Sequence, residues 1–546
     1  MNKNRSRGAL DRRGFLERGM VAVAAGSVAG AKEAGASAAR SGISPFELEE
    51  VTIADLQRAM ASGGATSVSI TEKYLARIEA IDKGGPKINA VIEINPDALA
   101  IAKQRDEERR THGPRGPMHG IPILIKDNIG THDRMMTTAG SLALLGSVPP
   151  EDAFVVKRLR EAGAVIIAKA NLSEWADVRS SVSTTGWSAR GGQTNNPYVL
   201  DRTPGGSSAG TGAGIAASLA AVGLGSETDG SILVPSAQNS LVGIKPTVGL
   251  VSRTGVIPIS HSQDTVGPMG RTVADVAATL GAMTGVDPKD PVSAGSRGRA
   301  YTDYTQFLDP AGLKGARIGV ARRHVDLGSA VDKVLQNAID AIRHAGAEVI
   351  DPTDLDNVEQ FRPNEKIILL YELKAGMNAY LQGLGPNAPV HTLQEIIEFN
   401  EKNWRREMPY FGQDRFIKAQ SYGDLATPEY LTALEKCHRL TRAEGIDATI
   451  DKFRLDALVA ATTGPAWVTD LVTGDHEADK STHPTAIAGY PNITVPAGYI
   501  FGLPVGVCFF GKAYTEPTLL KLAFAFEQAT HHRRPPQFLP TANLNA

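Results

Sequence analysis

Gly120-Ile121-Pro122-Ile123-Leu124-Ile125-Lys126-Asp127-Asn128 is the stretch that decides the fold. Ile121 to Ile125 is an unbroken apolar run, the pattern of a strand covered on both faces. It is too short for a buried helix, and it ends abruptly at a lysine. Upstream, Ser69-Ile70-Thr71-Glu72 fits a capping box, and Tyr74, Leu75, Ile78 and Ile81 repeat at helical spacing. Ala90 to Ile94 reads as a strand, and Asn95-Pro96 as the cap and first turn of a helix running towards Arg110. Downstream, a helix over Asp152 to Ala162 precedes a strand over Ala164 to Ala168. Ala316 to Val320, Ala330 to Ala345 and Ala347 to Ile350 make another strand-helix-strand unit. Asp456 to Ala461 and Asn492 to Ala497 read as returning strands, and Thr518 to Thr530 as a closing helix. This alternation predicts an α/β fold, one large domain whose sheet is covered by helices. From about 357 to 451, charged and aromatic residues recur at helical spacing with few strand signals, which predicts a helical excursion over the sheet.

Composition excludes several classes of function. The chain has 546 residues, 42% hydrophobic and 21% charged, enough to build an ordinary globular core. A net charge of -2 points to neither nucleic acid nor an anionic membrane surface. Only Cys437 and Cys508 are present, so the core and not a disulfide framework must hold the chain; the two either pair or remain buried thiols. No Cys/His cluster has metal-ligand spacing, and Asp475-His476-Glu477 reads as an exposed polar loop.

The N-terminus reads as a targeting segment. Asp11-Arg12-Arg13-Gly14-Phe15-Leu16 is a twin-arginine pattern preceded by Arg5 and Arg7. A weakly apolar stretch from Met20 to Ala31 falls short of the about 20 residues that span a bilayer. Ala36-Ser37-Ala38 then offers a small-residue cleavage site. The expectation is a signal peptide over 1–38, export to the periplasm or beyond, and a mature domain over 39–546.

Two serine-bearing loops supply the chemistry: Thr203-Pro204-Gly205-Gly206-Ser207-Ser208-Ala209-Gly210 and Gly225-Ser226-Glu227-Thr228-Asp229-Gly230-Ser231-Ile232. A serine hydroxyl is a poor nucleophile until a base takes its proton. Gly206 to Gly210 also spells the G-x-S-x-G elbow, but that motif needs a strand before it. Asn196 to Pro204 reads as loop instead. Gly212-Ala213-Gly214-Ile215-Ala216-Ala217 matches a dinucleotide fingerprint by letters alone and reads as a tightly packed Gly/Ala helix. Lys126 is either a strand-end lysine that snorkels to water or a buried base. With an ordinary pKa near 10.4 it would stay protonated. Burial lowers that value towards the range of roughly 7–8 that suits a general base.

Taken together, these segments resemble the amidase signature family. The resemblance runs over nearly the whole mature region. It includes Gly120-Ile121-Pro122, the Gly/Ser loop, Gly243-Ile244-Lys245-Pro246-Thr247, Gln263-Asp264-Thr265-Val266-Gly267-Pro268-Met269 and Pro491-Asn492-Ile493-Thr494-Val495-Pro496. Asn171-Leu172-Ser173-Glu174-Trp175, Gly191-Gly192-Gln193-Thr194 and Glu227-Thr228-Asp229-Gly230-Ser231 look closest to the bacterial peptide amidases. The resemblance implies a mixed central β-sheet and a Ser-cisSer-Lys triad, with Ser231 as nucleophile, Ser207 as bridging serine and Lys126 as base. It implies an oxyanion hole from the backbone N–H groups of Thr228, Asp229, Gly230 and Ser231, and no cofactor or metal. The implied reaction is hydrolysis of a carboxylic amide through an acyl-enzyme, on a peptide amide or small-molecule amide, with C-terminal peptide amides or amino acid amides favoured. A broad aryl or fatty acylamidase, an inactive binding protein and a component of a glutamine amidotransferase are the alternatives. Leu233 departs from the family pattern, where an Arg is common, and this weakly disfavours a free-carboxylate substrate. Ser208 is either a second hydroxyl in the site or a helix cap, and Asp229 either contacts substrate or shapes the turn. Oligomeric state stays open.

Overall fold

The structure, a computed structural model, describes residues 45–322, 328–355 and 357–544; the signal peptide expected at 1–38 lies outside them. The strands are β1 (Val91–Ile94), β2 (Pro122–Lys126), β3 (Val165–Ala170), β4 (Trp187–Ser188), β5 (Gly192–Gln193), β6 (Val222–Glu227), β7 (Val242–Lys245), β8 (Thr265–Gly270), β9 (Arg317–Val320), β10 (Glu348–Ile350), β11 (Ala457–Ala461), β12 (Asn492–Ile500) and β13 (Leu503–Phe510). β4 and β5 pair with each other, and the other eleven form one sheet in the order β1-β3-β2-β6-β8-β7-β12-β13-β11-β9-β10. The sheet is mixed. β3, β2 and β6 run parallel, as do β11, β9 and β10, whereas β6-β8-β7-β12-β13-β11 are successively antiparallel. This is one domain, an α/β fold with helices against the sheet.

Burial explains the central strands. All five residues of β2 and all six of β3 are buried, because helices cover both faces of a parallel segment. The helix Ala209–Ala216 is buried along its whole length and lies against β2 and β6. Its glycines serve packing: a methyl group on Gly214 would fall 2.9 Å from Leu124 Cδ1. The letters of the dinucleotide fingerprint therefore mark a helix seated close to the sheet.

β6, β7, β8 and β13 were not legible. β6 carries two glycines in Val222-Gly223-Leu224-Gly225-Ser226-Glu227, and β8 carries Gly267, Pro268 and Gly270, which read locally as turns. Tertiary pairing overrides that propensity, since both strands are fully buried with partners on either side. The capping box sits three residues earlier than read: Thr66 caps the helix Ser67–Arg77, exchanging bonds with Ser69.

Between Val358 and Phe453 the described chain forms helices and connecting loops without a strand. These helices pack into two further apolar clusters, one in which Leu373, Ile396 and Phe416 meet Leu172, Trp175 and Ile257, and another in which Phe361, Tyr430 and Leu440 meet Ile487. Cys437 and Cys508 are both buried free thiols.

Candidate active site

β2 and β6 are parallel neighbours, so their C-terminal ends open onto one edge of the sheet, the usual position for ligands in such sheets. Lys126 is the last residue of β2 and is fully buried. Its Nζ donates to Ser207 Oγ at 2.7 Å, to the Ser226 carbonyl at 3.1 Å and to Ser226 Oγ at 3.0 Å. Asn128 Nδ2 also donates to Ser226 Oγ, at 2.9 Å. Burial drives the Lys126 pKa down to about 7, against the opposing pull of the Glu227, Asp264 and Asp177 carboxylates. Lys126 thus does not snorkel. It faces a serine hydroxyl from inside the protein.

Ser207 sits in a loop that no strand precedes after Gln193, so the setting required of a hydrolase elbow is missing among the described residues. The Gly206–Ser207 peptide bond is cis. Ser173 N–H donates to the Ser207 carbonyl at 3.1 Å, and Ser208 N–H to the Ser231 carbonyl at 3.2 Å, which ties the two serine loops together. Ser208 occupies the N-cap position of the helix Ala209–Ala216 without capping it through its side chain. Its hydroxyl donates instead to the Ser226 carbonyl at 3.2 Å.

Thr228 to Ser231 join β6 to the helix Leu233–Gln238. The buried Glu227 carboxylate accepts from the N–H groups of Ile232 at 2.8 Å and Leu233 at 3.0 Å, closing the turn from below. Gly230 has φ +83°, a left-handed conformation that favours glycine, and this brings Ser231 round to the cavity side. Thr228 Oγ1 donates to Asp264 Oδ1 at 2.5 Å. Asp229 accepts from Thr482 Oγ1 at 2.6 Å and is paired with His483 Nδ1, so its carboxylate shapes the turn and does not face the cavity.

Ser207, Ser226, Thr228 and Ser231 share a cavity of about 350 Å³. Val256, Ile257, Ile259 and Val266 give it an apolar stretch of wall, and Arg253, His261, Asp264, Lys289 and Asp290 are its ionisable points. The segment from Arg253 to Val266 builds most of that wall, whereas the helical excursion contributes Ala379. Leu233 is buried in its helix, away from the cavity. Asp475 accepts from Thr185 and from Trp467 Nε1, and His476 is exposed. Sequence reasoning missed Ser226, Asn128, Thr482 and His483. Ser226 lies inside a quoted loop and could have been noticed from its place at the strand end; His483 had no local signal.

Comparisons with known proteins point one way. The amidase family's sequence profile matches residues 69–520. A probable amidase of Arabidopsis thaliana is 45% identical over 505 residues, covering 91% of this chain and 93% of that one. A glutamyl-tRNA(Gln) amidotransferase component of Chloroflexus aurantiacus is 36% identical, over 90% of this chain and 99% of its own. Among solved structures, the native peptide amidase from Stenotrophomonas maltophilia superposes with a TM-score of 0.87 at 49% identity, covering 90% of this chain and all of that one.

Proposed function

The chain belongs to the amidase family and is an amide-hydrolysing enzyme, and from this premise we propose that it releases ammonia from C-terminal peptide amides or amino acid amides through an acyl-enzyme. One observation carries the reading. A buried lysine whose pKa is lowered to about 7 lies 2.7 Å from Ser207 Oγ, in the cavity that Ser231 also lines. In this reaction Ser231 Oγ attacks the carbonyl carbon while its proton passes to Ser207 Oγ, and the Ser207 proton passes to Lys126 Nζ. The N–H groups of Thr228 to Ser231 face the oxyanion. Return of a proton through Ser207 to the amide nitrogen breaks the C–N bond and frees ammonia. Water then adds to the ester by the same relay, leaving the acid and the free Ser231 hydroxyl. Labelling by a fluorophosphonate probe tests this directly, because adduct formation at a residue other than Ser231 ends it.

The apolar stretch of wall supports an apolar acyl group next to the scissile carbonyl. The export segment expected at 1–38 fits a peptide substrate met outside the cytoplasm. Similarity to the amidotransferase components makes glutamine the natural rival, and the apolar stretch of wall also leaves an aryl or fatty amide in play. On a panel of peptide amide, glutamine, anilide and long-chain amide, the peptide amide is expected to give the highest kcat/KM. A lead of tenfold or more for the anilide or the fatty amide, about 1.4 kcal/mol in transition-state binding, would remove the peptide-amide assignment and keep the amidase.

The base sets the pH response. Lys126 accepts a proton only when neutral, and its pKa is lowered to about 7. The rate is therefore expected to climb with pH, about tenfold per unit on the acid side, and to level off above about pH 7. A maximum on the acid side of pH 6 in kcat against pH would exclude Lys126 as the base.

A further inference from the structure

The relay leaves one charged pair beside Ser231 without a task. Asp229 and His483 pair through Oδ2 and Nδ1, and Thr482 Oγ1 donates to Asp229 Oδ1 at 2.6 Å. Lys480 Nζ lies 3.4 Å from the Asp229 carbonyl oxygen. His483 is 7% exposed, at the start of the helix His483–Ala488. Glu365, from the helix Val358–Gly383, is the other carboxylate facing this imidazole. Burial alone would lower the His483 pKa, but Asp229 and then Glu365 outweigh it and raise the value. Burial likewise pushes Asp229 up, and His483 and Lys480 outweigh it, holding the carboxyl below its ordinary range. Lys480 also pairs with Glu477 at 3.0 Å, and burial followed by the Asp229 charge raises the Glu365 pKa to about 7, so Asp229 is the main counter-charge of His483.

A buried ion pair is weak evidence for stability, because desolvation offsets much of its attraction. Its placement is more informative. The four-residue segment proposed to present the oxyanion N–H groups is gripped on its first two residues. Asp264 and Gln263 hold Thr228, through its hydroxyl at 2.5 Å and its carbonyl at 3.4 Å. Thr482 and His483 hold Asp229, and a Cβ on Gly230 would meet Thr482 Oγ1 at 3.1 Å. The peptide planes that start at these grips and run on through Gly230 to Ser231 are the ones whose N–H directions decide how well an oxyanion is bound.

Resting on the reading of Ser231 as nucleophile, we propose that His483 is a positioning residue: its Nδ1–H donates to Asp229 and thereby aims the backbone N–H groups of Asp229, Gly230 and Ser231 at the developing oxyanion. The effect appears in the transition state and not in substrate binding, since neither His483 nor Asp229 lines the cavity.

His483→Leu is expected to lower kcat by about 10²-fold, the scale of one misaligned oxyanion donor, with KM changed less than about twofold. Affinity for a peptide aldehyde, which adds to Ser231 and forms an oxyanion-like hemiacetal, should fall by the same factor. Affinity for the corresponding product carboxylate should not change. His483→Asn places an amide N–H where Nδ1–H stood and should regain most of the lost kcat. Thr482→Val removes the other side-chain donor to Asp229 with little change of volume and should show the same pattern at about tenfold, which keeps the test open if His483→Leu fails to fold. A kcat within threefold of wild type for a folded His483→Leu overturns the proposal. So does a parallel loss of aldehyde and carboxylate affinity, or an Asn variant no better than Leu. Fluorophosphonate labelling of the wild-type protein separates the two levels: no adduct at Ser231 ends the nucleophile assignment, whereas a Ser231 adduct with an unaffected His483→Leu ends this inference alone.

Discussion

Ser231→Ala is expected to leave no measurable turnover, and Lys126→Met and Ser207→Ala each to lower kcat by about 10⁴-fold or more. In the proposed relay the three side chains pass one proton, so removing any of them stops the same step, and a double variant should lose little beyond the worse single one. Lys126→Met adds a second expectation. A pKa brought from 10.5 to about 7 disfavours the charged amine by roughly 5 kcal/mol, at 1.36 kcal/mol per unit. The sign follows from proton counting. Between those two values the unfolded chain binds the proton and the folded chain does not, so stability rises with pH through that window and the full penalty stands below about pH 7. Methionine keeps the length and volume without the charge. The urea midpoint of Lys126→Met at pH 6 should therefore equal or exceed that of wild type, although Ser207 and Ser226 lose a partner. An active Lys126→Met would sink the base assignment; an inactive but clearly less stable one would show that the loss of activity came from damage to the fold.

Gly210→Ala is expected to be a severely damaging single-methyl change near the site. A Cβ there would lie 2.2 Å from the Ala90 carbonyl oxygen, and 2.5 and 2.6 Å from the backbone N and O of Asn171. All three are main-chain atoms at the ends of β1 and β3, so no rotamer can make room. Alanine is the better helix former, yet here overpacking decides the sign. A loss of about 3 kcal/mol or more is expected, read as a fall in urea midpoint and soluble yield. Gly383→Ala, on an exposed helix end with nothing within 4 Å of its Cβ, is the control and should be neutral or slightly stabilising. Equal behaviour of the two variants would show that the close approach at Gly210 is not tight in solution.

The sequence made the outer parts of the sheet legible because β2, β3, β9, β11 and β12 are runs of apolar residues between helices with clear periodicity. The middle was hidden. β6 and β8 interleave their apolar residues with Gly, Ser, Thr and Pro, which allow close approach across the sheet, so their local preference contradicts the state they adopt. The same contrast holds in the site. Lys126, Ser207 and Ser231 could be picked out because reactive residues stood inside unusual glycine-rich surroundings. His483 could not, because its significance lies in the carboxylate group it meets. His483 lies 254 residues from Asp229, and no local pattern announces such a meeting.

That separation along the chain has a kinetic consequence. Lys126 reaches Ser207 across 81 residues and Ser226 across 100, and the Asp229 tether closes a loop of 254. Chain entropy must be paid on each closure before any of these contacts returns energy. Helices such as Ser329–His344 need only neighbours in sequence and can form early. A chain part-way through folding would thus show most of its helical signal while the lysine is still wet, fully protonated and inert. In the proposed relay every one of these closures is needed at once, so amide hydrolysis is expected only from the fully closed chain.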